Sequence, residues 1–481
     1  MSAAGAANYR VFRVIKRLTG WYAGQYRQAD LLKEKDVDIY GKVVGLNYYE
    51  SIYSPMATAS FVMEDTGGTV GDFKDDFAGT LKDGLPVKGF EEVIFKVTTQ
   101  GNNGSLDWRD KDKRFIITGS PFNIDKPQRQ SAYYPMVSIN AITSTNKPVK
   151  RTYEGKISDV VKQILKDSKL PFSDSNIHET ENSIKLVGKN ENPLDTILKL
   201  CPKSIPVSGD PGYFFFENEE GFNFKSIHDM INEGISSFTG EDGFNTYESG
   251  NAENAIDSRP NSYARRHTYV YKMGVSPDLS KDTNDFLVLA PPTVRRDQDV
   301  MNAIKMGQFN VRICTRNIIT GEVTEEIVNL YNNSTDSRTT TLGDEVIDDP
   351  NNLQTSDGEN SENYCKTYTF VVAGGEDDDD GVSTDVINPA FKYLPKAMMR
   401  YSLLHAQLVN IIVPHNGDLN VGEVIRLNIE NITADNKVEK EFNEHRSGYY
   451  LILHMCHAFT TSNSFTSLTL ARDEYGVARK L

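Results

Sequence analysis

The sequence predicts a mainly β chain of the α+β kind: two antiparallel β-barrels joined by a small α/β domain, plus a long flexible insertion. Three observations predict it. Short β-prone segments separated by Gly-rich turns fill residues 36–145 and again 396–475. Helical stripes and a hairpin occupy 150–230 between them. A Ser/Thr/Asn/Asp-rich stretch at 331–362 almost lacks apolar positions and cannot bury enough surface to offset its ordering entropy.

The first block begins with Asp36–Leu46 (DVDIYGKVVGL), followed by Ser60–Asp65 (SFVMED) and the Gly67-Gly68 turn signal. Glu91–Val97 (EEVIFKV) and Arg114–Thr118 (RFIIT) alternate as half-buried strands do, and Met136–Ile142 closes the block. Five or more short strands without a helical period predict an antiparallel barrel or sandwich. Next, Ser158–Lys169 (SDVVKQILKDSK) places Val160, Val161, Ile164 and Leu165 in one helical stripe, with Ser158 as the expected N-cap. Pro193–Cys201 (PLDTILKLC) reads as a second helix, with Pro193 in its first turn and Pro202 at its end. Ser183–Val187 is a short strand. Gly212–Asn218 and Gly221–Ser226 make a hairpin around Glu219-Glu220-Gly221. Residues 231–262 read as a linker or long loop; 263–275 and 285–289 are β-prone. The last block has strands at Leu408–Val413, Val424–Ile429, Tyr449–Phe459 and Phe465–Ala471, with a turn at Gly417-Asp418, and reads as a second antiparallel barrel.

The expected organisation is an N-terminal arm (1–35), a first barrel (36–147), an α/β domain (148–231), a linker with β segments (232–293), an insertion with acidic loops (294–395) and a second barrel (396–481). In the arm, Val11, Phe12, Val14, Ile15 and Leu18 fall on roughly one face of a short helix, opposite Arg10, Arg13, Lys16 and Arg17. Those cations break any apolar core a secretory leader would need. Trp21 is the arm's expected anchor. The arm would fold on its own body, reach a neighbouring subunit or touch a membrane surface.

With 52 Lys+Arg against 67 Asp+Glu, the formal charge is −15, which disfavours tight, broad-face nucleic-acid binding. No apolar run reaches the ~18 residues that a membrane helix needs. Four cysteines without a CxxC motif exclude a zinc ribbon or thioredoxin-type site and suit a reducing compartment. No GxSxG, HExxH, P-loop or dinucleotide-binding glycine motif is present. His454, Cys456 and His457, with His445 nearby, look superficially like metal ligands. Strand alternation puts His454 and Cys456 on one face and His457 on the other, so no metal site is expected. The acidic run Glu376–Asp380 starts like an EF-hand loop but places Ile387 where a bidentate Glu is required. No catalytic residue, cofactor or metal is therefore assigned, and the expectation is a non-enzymatic chain. The aromatic pairs and runs (Tyr48-Tyr49, Tyr133-Tyr134, Phe214–Phe216, Tyr449-Tyr450) are expected to fill cores, with some covering subunit interfaces.

Several phrases taken in order resemble one family. They are YYESIYSP (Tyr48–Pro55), GLPVKGFEEV (Gly84–Val93), TYEGKISDVVKQIL (Thr152–Leu165), NENPLDTILKL (Asn190–Leu200) and GYFFFENEEGFNF (Gly212–Phe224). Towards the end come DLNVGEVIRL (Asp418–Leu427), SGYYLILH (Ser447–His454) and FTSLTLARDE (Phe465–Glu474). The set resembles the central baseplate hub protein of contractile-tailed phages, in its T-even-like and cyanobacterial-myovirus form. The resemblance implies two tube-type β-barrels joined by an α/β domain, and a homotrimer whose barrels form a pseudo-sixfold ring. It implies a virion protein of the tail baseplate that joins the central spike to the tail tube or its initiator. Genomic DNA would pass through without specific binding, which the acidic balance suits. The N-terminal arm and the 294–395 region depart from that pattern. Framework positions carried over are Glu50 and Pro55 in the first barrel, Gly422 in the LNVGEVI turn and Gly448 before the YYLIL strand. A type VI secretion spike base is a rival of the same kind; it would need a fused β-helix needle, which this sequence does not contain. The alternative from another class is a monomeric β-rich hydrolase or glycan-binding protein, which predicts a cleft with convergent carboxylates or stacked aromatics.

Overall fold

The computed structural model describes residues 7–15, 37–38, 42–66, 89, 91–99, 105–107, 114–119, 122–126, 129–207, 211–239, 263–273, 286–296, 300–308, 310–317, 321, 323–329, 342, 366–372, 388–431, 442–443, 445–460 and 464–473. The described chain is mainly β. It opens with β1 (Ala7–Ile15), β2 (Val37–Asp38), β3 (Val43–Ser51), β4 (Thr58–Asp65), β5 (Glu92–Thr99), β6 (Ser105–Asp107), β7 (Phe115–Ile117), β8 (Phe122–Lys126) and β9 (Arg129–Ser138). Over Val11–Ile15 a strand stands where the sequence suggested a helix. Residues 7–15 are a strand, antiparallel to β5, with Phe12 opposite Phe95 and Val14 opposite Val93. β-branched and aromatic residues favour the pleated pairing, and their spacing fits either period. Leu18 and Trp21 lie outside the described residues. At the other end of the block, the strand expected to reach Ile142 stops at Ser138. There the Ser138 hydroxyl accepts from Asn140 N at 3.3 Å and starts α1 (Ile139–Thr145).

The middle of the chain carries β10 (Tyr153–Lys156), α2 (Ile157–Ser168), β11 (Phe172–Ile177), β12 (Ser183–Leu186), α3 (Pro193–Leu200), β13 (Tyr213–Asn218), β14 (Gly221–Ser226) and α4 (Ile227–Thr239). The stripe Val160, Val161, Ile164 and Leu165 is fully buried, together with Tyr213, Phe215, Phe222 and Phe224 of the hairpin. Each such side chain contributes ~1.5–3 kcal/mol through burial. Ser158 is not the N-cap of α2, because the helix already begins at Ile157; Thr180 Oγ1 accepts from Ser158 N at 3.0 Å instead. α3 starts as the sequence implies, on Pro193, with the Asn192 side chain accepting from Leu194 N at 2.9 Å. Residues 231–239, expected as loop, complete α4, whose Met230, Ile231, Ile235 and Phe238 enter the main core.

Then follow α5 (Tyr263–Arg266), β15 (Thr268–Tyr271), β16 (Thr293–Arg296), α6 (Val300–Met306), β17 (Asn310–Asn317), β18 (Val323–Asn329), β19 (Lys366–Val372) and α7 (Asn388–Leu403). The 294–395 region therefore contains regular structure: β17 is antiparallel to β18 and parallel to β19. Most of the Ser/Thr/Asn/Asp-rich stretch, and the acidic run Glu376–Asp380, lie outside the described residues. The chain ends in β20 (Gln407–Pro414), β21 (Val424–Ile429), β22 (Gly448–Thr460) and β23 (Ser464–Arg472).

The two strand blocks are not separate closed barrels. They belong to one 15-stranded sheet with the path β16-β20-β23-β22-β3-β4-β9-β7-β5-β1-β2, and among the described strands no sheet closes on itself. β22 is the reason. Its N-terminal part pairs with β21, from Leu451 opposite Val424 to Gly448 opposite Leu427. From His454 onward the same edge pairs with β3, placing His457 opposite Tyr48 and Phe459 opposite Leu46. A strand of 13 residues is long enough to bridge both partners. No helix among the described residues is long and apolar enough to cross a membrane.

Candidate interaction surface at the seam of the sheet

The β3–β22 seam has two contrasting faces. Towards the core, Tyr48 is 1% exposed, and His457, fully buried, stacks on it with ring centroids 6.1 Å apart. His415 meets His457 edge-on at 4.9 Å. Burial holds His415 down to about 3, and burial with the neighbouring His415 holds His457 well below the usual imidazole range. Both rings are therefore neutral packing groups at physiological pH. His457 Nδ1 lies 2.9 Å from Thr466 Oγ1, which bonds that ring to β23.

The opposite face carries small polar and aromatic side chains in register. One row runs Ser467, Cys456, Tyr49, Thr58, Val137; the next runs Phe465, Ala458, Asn47, Ser60, Pro135. Tyr49 and Tyr133 are 37% and 41% exposed. Glu64 paired with Arg129 is at one end of this face. On a chain of net charge −15, such an uncharged stretch is a distinct surface. Burial pushes the Cys456 thiol up to about 11, so it is a packing group rather than a nucleophile.

The four framework positions fall in two places. Glu50 (3% exposed) is on β3 facing inward, where Tyr48 Oη donates to its Oε1 and Val421 N approaches its Oε2 at 3.4 Å. Burial first, and the adjacent Glu50 charge second, raise the Tyr48 phenol. Gly422 follows directly on Val421 with φ +83°, and a Cβ there would sit 2.9 Å from Phe216 Cζ and 3.1 Å from Met230 Sδ. Glu50 and Gly422 thus meet at one joint between the first strand block, the α/β hairpin and α4. Gly448, φ +142°, starts β22 on the other side, where a Cβ would press on the buried Arg472 guanidinium (Nη2 at 2.9 Å). Pro55 is half-buried in the β3–β4 turn and joins neither cluster.

Two further joints escape the sequence reading. Glu217, 2% exposed, accepts from Ala57 N (3.0 Å), Ser138 Oγ (2.8 Å) and Asn140 Nδ2 (2.6 Å). It ties the hairpin to the turn before β4, to β9 and to α1 at once; the signal for it was an acid ending the aromatic run Phe214–Phe216. Arg400 of α7 and Asp473 after β23, 1% and 0% exposed, pair at 3.0 Å, and Asp473 Oδ1 accepts from Leu342 N. Their sequence spacing gave no sign of pairing. Among the described residues, no group of three or more His, Cys, Asp or Glu side chains is arranged to hold a metal ion. His454 is exposed and His457 buried, on opposite faces of β22.

No protein-family profile matches the chain, and no curated protein matches it in sequence. In fold it is similar to several solved structures. The 43 kDa tail protein of prophage MuSo2 from Shewanella oneidensis aligns over 97% of this chain and 98% of its own, at 7% identity and TM-score 0.45. A tail protein from Neisseria meningitidis MC58 aligns over 97% of both chains at 10% identity and TM-score 0.44. A chain of the Francisella PdpA-VgrG complex aligns over 98% of this chain and 54% of its own, at 7% identity and TM-score 0.39. Identities and scores of this size do not assign the chain to a family.

Proposed function

We propose that the chain is a structural hub of a contractile-tail baseplate. In this reading three copies form a ring whose six strand blocks, two per chain, join a central spike to the tail tube and leave a channel for DNA. The observation that carries it is the β3–β22 seam, which makes one sheet from the two ends of the chain. A symmetry adaptor needs such a pair of strand blocks held side by side within each subunit. The uncharged, partly exposed face of that sheet suits a wall along which a polyanion slides without sticking. The ordered phrases from Tyr48 to Glu474 point the same way.

The proposed assembly is a permanent one, so each interface should bury more than about 2,000 Å². Negative-stain electron microscopy of the purified chain tests it. The expected images are rings with threefold symmetry, six peripheral densities and a central hole. Uniform single particles without a ring overturn the reading and favour the monomeric hydrolase or glycan-binding alternative.

A further inference from the structure

One cluster at the free end of the large sheet is not used by this reading. β16 ends the sheet path and pairs only with β20 among the described strands. Two β-bulges lie near that end, one between Val294 and Arg296 on β16, the other between Ile452 and His454 on β22. Bulges re-aim side chains and are frequent beside binding sites. Asn410 lies opposite Thr469, and Thr469 opposite His454, so Arg295 on Asn410 falls at the same corner as His454; Arg296, Tyr53 from the turn after β3, and His405 from the turn after α7 complete it. Tyr53 Oη lies 2.8 Å from His405 Nε2, and the two rings stack at 5.6 Å. His454 packs against Tyr53 from another side, with ring centroids 5.5 Å apart. Phe214 closes the floor edge-on to Tyr53 at 5.2 Å.

Two guanidiniums and two imidazoles meet at this corner. Asn410, with its amide nitrogen turned to Thr469 Oγ1 (3.1 Å), receives Arg295 Nη2 (3.0 Å) and Nε (2.6 Å) on its oxygen, which fixes that guanidinium in orientation. Burial first, then Arg296 and His454, hold His405 below the ordinary imidazole range; burial and then Arg295 do the same for His454. Among the described residues no carboxylate offsets these cations. In a chain of net charge −15, such a corner is an exception.

We propose that Arg295, Arg296, Tyr53, His405 and His454 form a binding site for a carboxylate group. Guanidinium forks match a planar, singly charged carboxylate with two parallel hydrogen bonds. Two arginines supply the positive charge for such a group while both imidazoles stay neutral. Tyr53 is 40% exposed, so the corner is open to a group presented from outside.

The test is isothermal titration of the full chain at low salt with two carboxylate probes, succinate and a hexaglutamate peptide, and with inorganic phosphate. Binding of both carboxylate probes marks a site for the group itself; binding of the peptide alone marks an acidic segment of a partner protein as its source. Either is expected to weaken by about tenfold or more in R295Q/R296Q, the scale of one lost charge-assisted pair. Tyr53→Phe should weaken binding less, and Lys199→Gln, on α3 and paired with Glu191, should leave it unchanged. Circular dichroism confirms that each variant is folded. Failure of both carboxylates to bind, equal affinity in R295Q/R296Q, or a preference for phosphate overturns the proposal. Ring formation is read separately, so loss of this site and loss of the hub reading are distinguishable.

Discussion

Replacing Gly422 with alanine should open the joint between the two sheet halves. The glycine has φ +83°, a region where a Cβ costs ~1 kcal/mol or more. The added methyl would lie 2.9 Å from Phe216 Cζ and 3.1 Å from Met230 Sδ. Those side chains are 1% and 2% exposed, so neither can swing into solvent. Overpacking of this kind costs ~1–3 kcal/mol. The sum is about 2–4 kcal/mol. At about 1.4 kcal/mol per decade, that is about a 30- to 700-fold shift in a local opening equilibrium. The strain acts where Gly422 N donates to Ile452 O (2.9 Å) and Ile452 N to Glu423 O (2.9 Å). Hydrogen exchange followed by mass spectrometry on peptides covering 417–430 and 448–453 reads it directly. Gly119→Ala is the control, since a Cβ there meets nothing within 4 Å. Exchange in G422A within about threefold of wild type, a change of under 1 kcal/mol, would refute the packing argument.

Three other outcomes follow from the buried joints. Glu217→Ala leaves three buried donors without their acceptor, at ~1–3 kcal/mol each before relaxation, and should lower the thermal midpoint far more than Glu217→Gln, which keeps an amide oxygen there. Arg400→Met strands Asp473 as a buried charge and should cost ~3–5 kcal/mol, whereas R400M/D473N should recover much of the loss in chemical denaturation. His178 lies 3.3 Å from both Asp229 and Glu233, near Lys225, His228 and Tyr213; burial opposes its protonated form, but the two carboxylates outweigh burial and raise it above its ordinary value. The stability it contributes is therefore complete below pH ~6.5 and lost as pH rises through the raised value. The thermal midpoint should fall between pH 6 and 8 in wild type and much less in His178→Gln.

Local structure was legible where one period dominated. The stripe Val160–Leu165 and the PLDTILKL helix have no strand reading, and Val424–Ile429 and the GYFFFEN hairpin have no helical one. At Val11–Ile15 both periods fit, and the decision came from β5, whose pairing no local pattern reveals. The seam was illegible for the same reason: β3 and β22 are about 400 residues apart, and apolar alternation marks a buried face without naming the partner at an edge. The reading of two barrels followed from treating each block as self-sufficient. Of the framework positions, the two glycines could be suspected from their turns. Glu50 finds its donor at Val421 only once the sheet is formed. The corner at Tyr53 was invisible because its groups come from four distant segments.

The central claim is that the chain works as a permanent homotrimer. Size-exclusion chromatography with light scattering, over a dilution series of the purified full chain, tests it most directly. The account predicts a mass of three chains that persists on dilution. One chain's mass at every concentration contradicts it.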